Sequence, residues 1–302
     1  MRKYDFFYID AFTDTQFAGN PCAVFPKADG LDEETMQKIA RETNLNETAF
    51  VFPSSEADFR VRYFTPTYEI PFAGHPTIAT AFLLAEEGYI PGGGESGKDE
   101  NVLQVQFEFN VGVLPVEIVY RKGTLEKVGM QQKPPEFGAV YPPERIAPMF
   151  GIKAEELLEN APVQVVSTGV PFLMVPVKSV DVVKKAEMDR QELARLLKSS
   201  GVDAAFVCTP HGYTEKGTTF ARLLGPESQS EDTFTGSASG CMGSFFYRHG
   251  IVKTDKMVLE QGHSLGRPGT GELVLTGTPE NIERVQLYGA AAKSLKGTLE
   301  LE

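Results

Sequence analysis

Two short stretches of small residues, each followed by an apolar run, constrain this chain most. Residues 72–77 read FAGHPT and continue as IATAFLL, and residues 234–239 read FTGSAS and continue as GCMGSFF. Proline suits the first turn of a helix, where its missing N–H has no intrahelical partner. An apolar run on all faces predicts a buried helix. If the start of such a helix faces a cavity, its free N–H groups form a site for a carboxylate or another anion.

The similarity between the two stretches continues along the chain in the same order. Gly236 follows Gly74 by 162 residues. Earlier matches pair residues 62–66 with 222–226, 49–51 with 205–207 and 19–21 with 169–171, at offsets of 160, 156 and 150. For the first pair alone, chance is the alternative. Because the offset drifts slowly and is domain-sized, we interpret the series as an internal duplication and not as a solenoid.

The length of 302 residues suits two domains. We place them at residues 1–125 and 126–302, ahead of the proline-rich segment 133–148, and leave open whether the last strand packs back on the first domain. Residues 91–98 are predicted to form a surface loop. Because a sheet needs its apolar face covered, we expect an α+β fold in which each half wraps a curved sheet around one helix. The two halves would be pseudo-symmetric and would face a shared cleft.

Composition argues against several partners. The chain has 29 basic and 41 acidic residues, a net charge of −12, and no basic tract, so we expect neither nucleic acid nor a membrane surface as a partner. The N-terminus runs directly into a strand pattern without a signal peptide, which predicts a cytoplasmic protein. The three cysteines are widely spaced and predicted to lie in the core. The four histidines lack metal-ligand spacing, so no metal is predicted.

Three side chains near the helix starts are candidates for acid–base chemistry. Glu47 lies where the polar segment 44–48 meets a predicted strand, His75 lies in the first stretch, and Asp232 precedes Gly236 by four residues. Amides fixed at two helix starts could stabilise the enolate-like charge that forms when a proton leaves carbon beside a carboxylate. A desolvated carboxylate can take that proton and return it.

Each candidate also has a structural alternative. Glu47 could be a solvated carboxylate at a helix end or strand edge, and Asp232 could be a turn residue. His75 could serve only to cap the helix, and Ser237 is of the residue type found at ordinary N-caps. The residue pattern alone does not decide between these readings.

Four motifs in order resemble the signatures of the phenazine-biosynthesis PhzF-like family. They are NLNET at 44–48, GHPT at 74–77, EDTFTGSA at 231–238 and QG followed by GRP within 261–268. The resemblance implies the diaminopimelate epimerase-like fold, with two similar domains that are each a β-barrel around a central helix, usually in a homodimer. It also implies a cofactor-free isomerase that acts on a small carboxylate-bearing metabolite.

The resemblance further implies roles for individual residues. Glu47 would carry the proton, while His75 and Asp232 would position the substrate and assist the transfer. The residues expected to bind the substrate, with the amides at the helix starts holding its carboxylate, are Asn20, Gly74, Gly236 and Ser237.

Two departures from the sequence patterns of the family and its superfamily bear on the alternative functions. Thr233 stands where the motif usually has proline, which is expected to loosen that loop. Epimerases of the wider superfamily place a cysteine before each helix-start glycine, whereas this chain has Ala73 and Thr235. A two-base epimerase or racemase is therefore the second choice among enzymes, and a non-catalytic binder of small anions is the remaining alternative.

Overall fold

The computed structural model describes residues 1–91, 99–202, 204–225 and 231–302. Nearly all of the surface loop predicted at 91–98 therefore lies outside the described residues. The chain divides into two compact units, Met1–Met130 with Tyr288–Glu302, and Gln131–Leu287. Within the described ranges, no helix is both long enough and apolar enough to cross a membrane.

The first unit combines a long mixed sheet with two helices. Its elements in chain order are β1 (Arg2–Ala11), β2 (Asn20–Phe25), α1 (Glu33–Thr43), β3 (Thr48–Phe52), β4 (Phe59–Phe64), β5 (Glu69–Ile70), α2 (Gly74–Glu86), β6 (Glu100–Phe109), β7 (Gly112–Arg121), β8 (Thr124–Gln132), which ends at the unit boundary, and β17 (Ala291–Leu301).

The sheet of the first unit curves around α2. Its pairing order is β17–β1–β2–β3–β4–β6–β7–β8, in which β2–β3 and β4–β6 are parallel and the other pairs antiparallel. Strands β17, β1, β2, β3 and β7 all contact α2. Every residue of α2 from His75 to Leu84 is buried. Strands that are not neighbours in the sheet thus cover one apolar helix. Each large apolar side chain buried there stabilises the folded state by about 1.5–3 kcal/mol.

Helix α1 sets the position of the segment that carries Glu47. The Asp32 side chain caps its start by accepting the Thr35 N–H at 2.8 Å, and the helix ends at Asn44, whose backbone is left-handed with φ of 52°. The Thr43 and Thr48 hydroxyls hydrogen-bond at 2.9 Å across the connection. The four residues between α1 and β3 are therefore held at both ends.

The second unit has the same kind of construction. Its elements are β9 (Glu136–Tyr141), α3 (Pro143–Ile146), the short 3-10 turns Ala147–Phe150 and Ala154–Glu156, β10 (Val163–Ser167), β11 (Pro171–Pro176), α4 (Val180–Lys185), α5 (Arg190–Ser200), β12 (Ala205–Thr209), β13 (Thr219–Leu224), α6 (Gly236–Arg248), β14 (Lys256–Gln261), the 3-10 turn His263–Leu265, β15 (Gly269–Thr278) and β16 (Asn281–Gly289), which ends just past the unit boundary.

Helix α6 occupies the centre of the second unit. The pairing order is β9–β10–β11–β12–β13–β14–β15, with β11–β12 and β13–β14 parallel and the rest antiparallel. The alternation of antiparallel and parallel pairs from β10 to β15 is the same as that from β1 to β7 in the first unit. Strands β10, β11, β12, β14 and β15 contact α6. A Cβ on Gly243 would lie 2.0 Å from Leu273 Cδ2, so glycine permits the close approach of α6 to β15.

Several sequence predictions need correction. Strands β8 and β9 and helix α4 were not predicted. The segment of β9 was interpreted only as proline-rich, and its side chains are mostly exposed, so it lacks the alternation that marks a half-buried strand. Asn20, which is expected to bind the substrate, is the first residue of β2.

Candidate functional site

In the first unit, Glu47 lies against the first turn of α2. Its Oε2 is 3.2 Å from Nε2 of His75, and the side chains of Glu47 and His75 are 18% and 7% exposed. The short connection after α1 aims the carboxylate inward, and the burial of α2 brings the imidazole to it. The structure therefore brings together two of the predicted site residues that lie far apart in sequence.

His75 is a neutral imidazole with a defined tautomer. Burial lowers the pKa of His75 to about 3, although a hydrogen bond to the Pro21 carbonyl acts in the opposite direction. A carbonyl only accepts, so a ring N–H points at Pro21. Nε2 makes no hydrogen bond of good geometry with the described residues, so the donor to Pro21 is Nδ1. The nitrogen that faces Glu47 therefore presents a lone pair.

Hydrogen bonds behind this pair fix the start of α2. The Thr77 hydroxyl donates to the Ala73 carbonyl at 2.7 Å, and the buried Tyr63 hydroxyl lies 2.9 Å from Thr77 Oγ1. Burial also raises the pKa of Tyr63, so its hydroxyl stays protonated and donates to Thr77. The thiol of Cys22 is fully buried, and its pKa is raised well above its usual value by burial and by the charge of Glu47. Cys22 is therefore a neutral packing residue.

The other predicted residues of the first unit flank the Glu47–His75 pair. Gly74 begins α2, and Ala73 before it makes no capping bond through its side chain. Apart from its chain neighbours and the backbone of its own helix, a Cβ built on Gly74 would meet only Met130 Sδ among the described residues, at 4.0 Å, so space remains beside this helix start. Asn20 is fully buried and directly precedes Pro21, the residue that orients His75.

In the second unit, Asp232 is held by its neighbours before α6. The Thr235 hydroxyl donates to Asp232 Oδ2 at 2.6 Å. The amide of Gln261, a side chain from the end of β14, accepts the Thr235 N–H at 2.9 Å and donates to the Asp232 carbonyl at 2.8 Å. The sequence identifies Gln261 only as part of a motif, whereas the structure shows a buried side chain that is 1% exposed.

The first turn of α6 is also supported from the side. Gln132 Nε2 donates to the Gly236 carbonyl at 2.9 Å, and the Thr168 hydroxyl donates to Gln132 Oε1 at 2.7 Å. The same hydroxyl is 3.4 Å from the carbonyl oxygen of Ser237. Like α2, α6 begins without a side-chain capping bond from the residue before it. The predicted residues Gly236 and Ser237 thus lie at a helix start that Gln132 and Thr168 hold by hydrogen bonds.

An arginine–glutamate pair precedes the central helix in each unit. In the first unit, Arg62 binds both oxygens of Glu69, at 2.8 and 2.6 Å. In the second, Arg222 binds Glu231 through Nε and Nη2, at 2.9 and 2.8 Å. Each glutamate lies five residues before the glycine that begins the helix. Bidentate pairs of this kind fix direction as well as distance, so they orient the segments leading to α2 and α6.

The comparison with known proteins agrees with this architecture. The family model PhzC-PhzF, described as phenazine biosynthesis-like protein, matches residues 9–297. An uncharacterized isomerase of Clostridium acetobutylicum is 32% identical over 100% of this chain and 99% of its own. Trans-2,3-dihydro-3-hydroxyanthranilate isomerase of Pseudomonas aeruginosa is 30% identical over 98% of this chain and 99% of its own.

A solved structure shows the same fold. It is the crystal structure of a Bacillus anthracis phenazine biosynthesis protein of the PhzF family, which is 29% identical to this chain in sequence. The two structures superpose with a TM-score of 0.87 over 100% of each chain. The predicted α+β class with the diaminopimelate epimerase-like fold is confirmed. The family match, the named relatives and the shared fold together show that the chain belongs to the PhzC-PhzF family of phenazine biosynthesis-like proteins and is an isomerase.

Proposed function

We propose that this isomerase moves a proton within a small carboxylate-bearing substrate, with Glu47 as the acid and base. The observation that carries the proposal is the 3.2 Å approach of Glu47 Oε2 to His75 Nε2. Because Nδ1–H of His75 is committed to Pro21, Nε2 is an acceptor. A proton taken up by Glu47 can be held in a hydrogen bond to this acceptor until it is returned to the substrate, so the pair suits a group that both takes and gives a proton.

The remaining predicted residues receive supporting roles in this proposal. The amides at the start of α2, with Gly74, would stabilise the negative charge that develops on the substrate. Asn20 would bind the substrate. We assign Asp232, Gly236 and Ser237 of the second unit to the same reaction, on the basis of the family motif and of the fixed geometry of that helix start.

The chemistry of the thiols favours a single carboxylate over two opposed cysteines. Cys22, Cys208 and Cys241 are all buried. Burial raises the pKa of Cys241 to about 11 and raises that of Cys208 further still. Only a thiolate is an effective base or nucleophile, so a two-thiol epimerase receives no support from these residues.

The first substrate to test is trans-2,3-dihydro-3-hydroxyanthranilate, the compound named for the Pseudomonas aeruginosa relative. It carries the carboxylate that the proposal requires. Turnover is followed by absorbance, and proton transfer by deuterium incorporation from D2O, measured by NMR. A panel of small cyclic and acyclic carboxylic acids in D2O extends the test. Since the proposed step uses only residues of this chain, dialysis against EDTA is expected to leave turnover unchanged.

Glu47→Gln removes the proposed acid and base without changing side-chain volume. General acid–base catalysis contributes roughly 10²–10⁴-fold, so kcat is expected to fall by at least about 10²-fold while the thermal unfolding midpoint changes little. Glu42→Gln, the same change at an exposed residue of α1, is the control and should behave like the wild type. A folded Glu47→Gln variant with full turnover, or no deuterium exchange by the wild type with any acid tested, would contradict the proposal.

A further inference from the structure

We propose that Thr235 and Gln261 are positioning residues that hold the carboxylate of Asp232 in its working orientation, a role that rests on the function proposed above for Asp232. Neither residue would touch the substrate in this arrangement. Both would act through the segment 232–235, which leads directly into α6.

The hydrogen-bond directions around Thr235 define where its proton points. Gln261 Nε2 lies 3.2 Å from Thr235 Oγ1 and can only donate. The hydroxyl proton is therefore directed at Asp232 Oδ2, 2.6 Å away. A short bond to a charged acceptor is stronger than one between neutral groups. Thr235 thus fixes one oxygen of the carboxylate.

The side chain of Thr235 serves Asp232 and not the helix. Thr235 occupies the N-cap position of α6, where a threonine hydroxyl would ordinarily accept an N–H from the first turn. Its side chain makes no such capping bond. The hydroxyl instead donates to the carboxylate three residues earlier and accepts from Gln261, so its hydrogen bonds hold Asp232 and its loop and not the first turn of the helix.

Gln261 closes the same segment at both ends. Its Oε1 accepts the N–H of Thr235 and its Nε2 donates to the carbonyl of Asp232, at 2.9 and 2.8 Å. Because the amide is almost completely buried, each of these bonds would be costly to lose. A single side chain from β14 thereby holds the backbone at Asp232 and at Thr235.

The glycine after Gln261 lets the backbone approach this segment closely. Gly262 has φ of +83°, and a Cβ on it would lie 2.5 Å from the Thr233 carbonyl oxygen and 2.3 Å from that of Arg267. A side chain at this position is therefore excluded both by conformation and by space. The loop that carries Asp232 is thus held from β14 by one side chain and by one close backbone contact.

The main test replaces Thr235 by valine, which keeps the shape but removes the hydroxyl. With trans-2,3-dihydro-3-hydroxyanthranilate as substrate, kcat is expected to fall roughly ten- to a hundredfold, as for a lost hydrogen bond to a charged group, while KM changes by less than about threefold. Thr235→Ser retains the hydroxyl and should restore kcat to within about threefold of the wild type. Gln261→Glu keeps an acceptor for the Thr235 N–H but removes both donors, and should lower kcat in the same way.

Thr233→Val is the matched control in the same loop. Its hydroxyl is buried and makes no hydrogen bond with the described residues, so valine should leave kcat unchanged. A crystal structure of Thr235→Val gives a readout independent of turnover, and we expect the Asp232 carboxylate to rotate away from its present position. If Asp232 keeps its orientation in that structure, the positioning role is wrong. It is also wrong if Asp232→Asn lowers kcat while Thr235→Val keeps the wild-type value.

Failure of the proposed function has a different signature. If the wild type does not turn over the compound, the substrate assignment fails, and the orientation of Asp232 in the Thr235→Val crystal still decides the positioning role. If Asp232→Asn retains the wild-type kcat while the carboxylate rotates in Thr235→Val, the network positions Asp232 but Asp232 does not serve the reaction. In both cases the crystal structure of Thr235→Val still shows whether Thr235 orients the carboxylate of Asp232.

Discussion

Acid is expected to destabilise this protein through one buried residue, His75. The pKa of His75 is lowered to about 3 in the folded protein, against about 6.5 in an unfolded chain. Between these values the unfolded chain binds a proton that the folded protein does not bind. The stabilisation that comes from keeping His75 neutral is therefore fully present above pH 6.5. Below that value the free energy of unfolding falls by about 1.4 kcal/mol for each unit that the pH decreases.

The expected loss can be worked out for two accessible pH values. At pH 7.5 the unfolded imidazole is mostly neutral, and the contribution of His75 to the pH dependence is close to zero. At pH 5.0 it is almost fully protonated in the unfolded chain only, so the free energy of unfolding is lower by about 2 kcal/mol. A loss of this size is a substantial part of the stability of an ordinary domain.

The assay is urea unfolding at pH 7.5 and 5.0, comparing the wild type with His75→Asn. The chain has no tryptophan and 10 tyrosines, so tyrosine fluorescence and circular dichroism are suitable signals. Asparagine retains an N–H donor near Pro21 but does not titrate. The wild type should therefore lose about 2 kcal/mol more than this variant between the two pH values. His211→Asn, the same substitution at an exposed site, is the control and should lose as much stability between the two pH values as the wild type.

Equal losses in the wild type and His75→Asn would refute the neutral imidazole. An NMR titration gives a second check, since the ring signals of His75 should not change between pH 7.5 and 5.0. A midpoint near pH 6.5 would show that His75 becomes charged beside Glu47. The acceptor role of Nε2, and with it the proton-transfer proposal, would then lose its basis.

Two further substitutions test the supports of α6. Arg222→Lys keeps the charge but removes the bidentate contact with Glu231 and the bonds from Nη1 to the carbonyls at the end of α4. We expect the free energy of unfolding, measured by heat or urea, to fall by about 2 kcal/mol. An unchanged unfolding midpoint would show that the pair does not stabilise the fold. Gly240→Ala would place a Cβ against Gln132 Oε1, so the Gln132 side chain must move and lose the bond that its Nε2 donates to the Gly236 carbonyl. A net cost of about 1–2 kcal/mol is expected despite the better helix propensity of alanine, and a stabilised variant would contradict it.

Much of the architecture follows from local pattern. The two apolar runs after small residues predicted the buried central helices, and helices α2 and α6 begin at the predicted glycines. The motif around Glu47 and His75 identified a pair that the structure places 3.2 Å apart. Each apolar run, and each of the two motifs that carry Glu47 and His75, consists of residues close together in sequence, which is why it can be found without a structure. Whether the repeated stretches record a duplication stays a prediction.

Long-range pairing decided the rest. The tautomer of His75 depends on the Pro21 carbonyl, which reaches it only because β2 and α2 pack together across more than fifty residues of chain. Gln261 meets Asp232 and Thr235 because β14 ends beside the start of α6, and the motif that contains Gln261 does not show which groups it will bind. Strand β9 was missed because pairing with β10, and not its own alternation, makes it a strand. Periodicity thus determined which segments are buried, and only the tertiary structure determined which donor faces which acceptor, because hydrogen-bond partners are set by packing between elements distant in sequence.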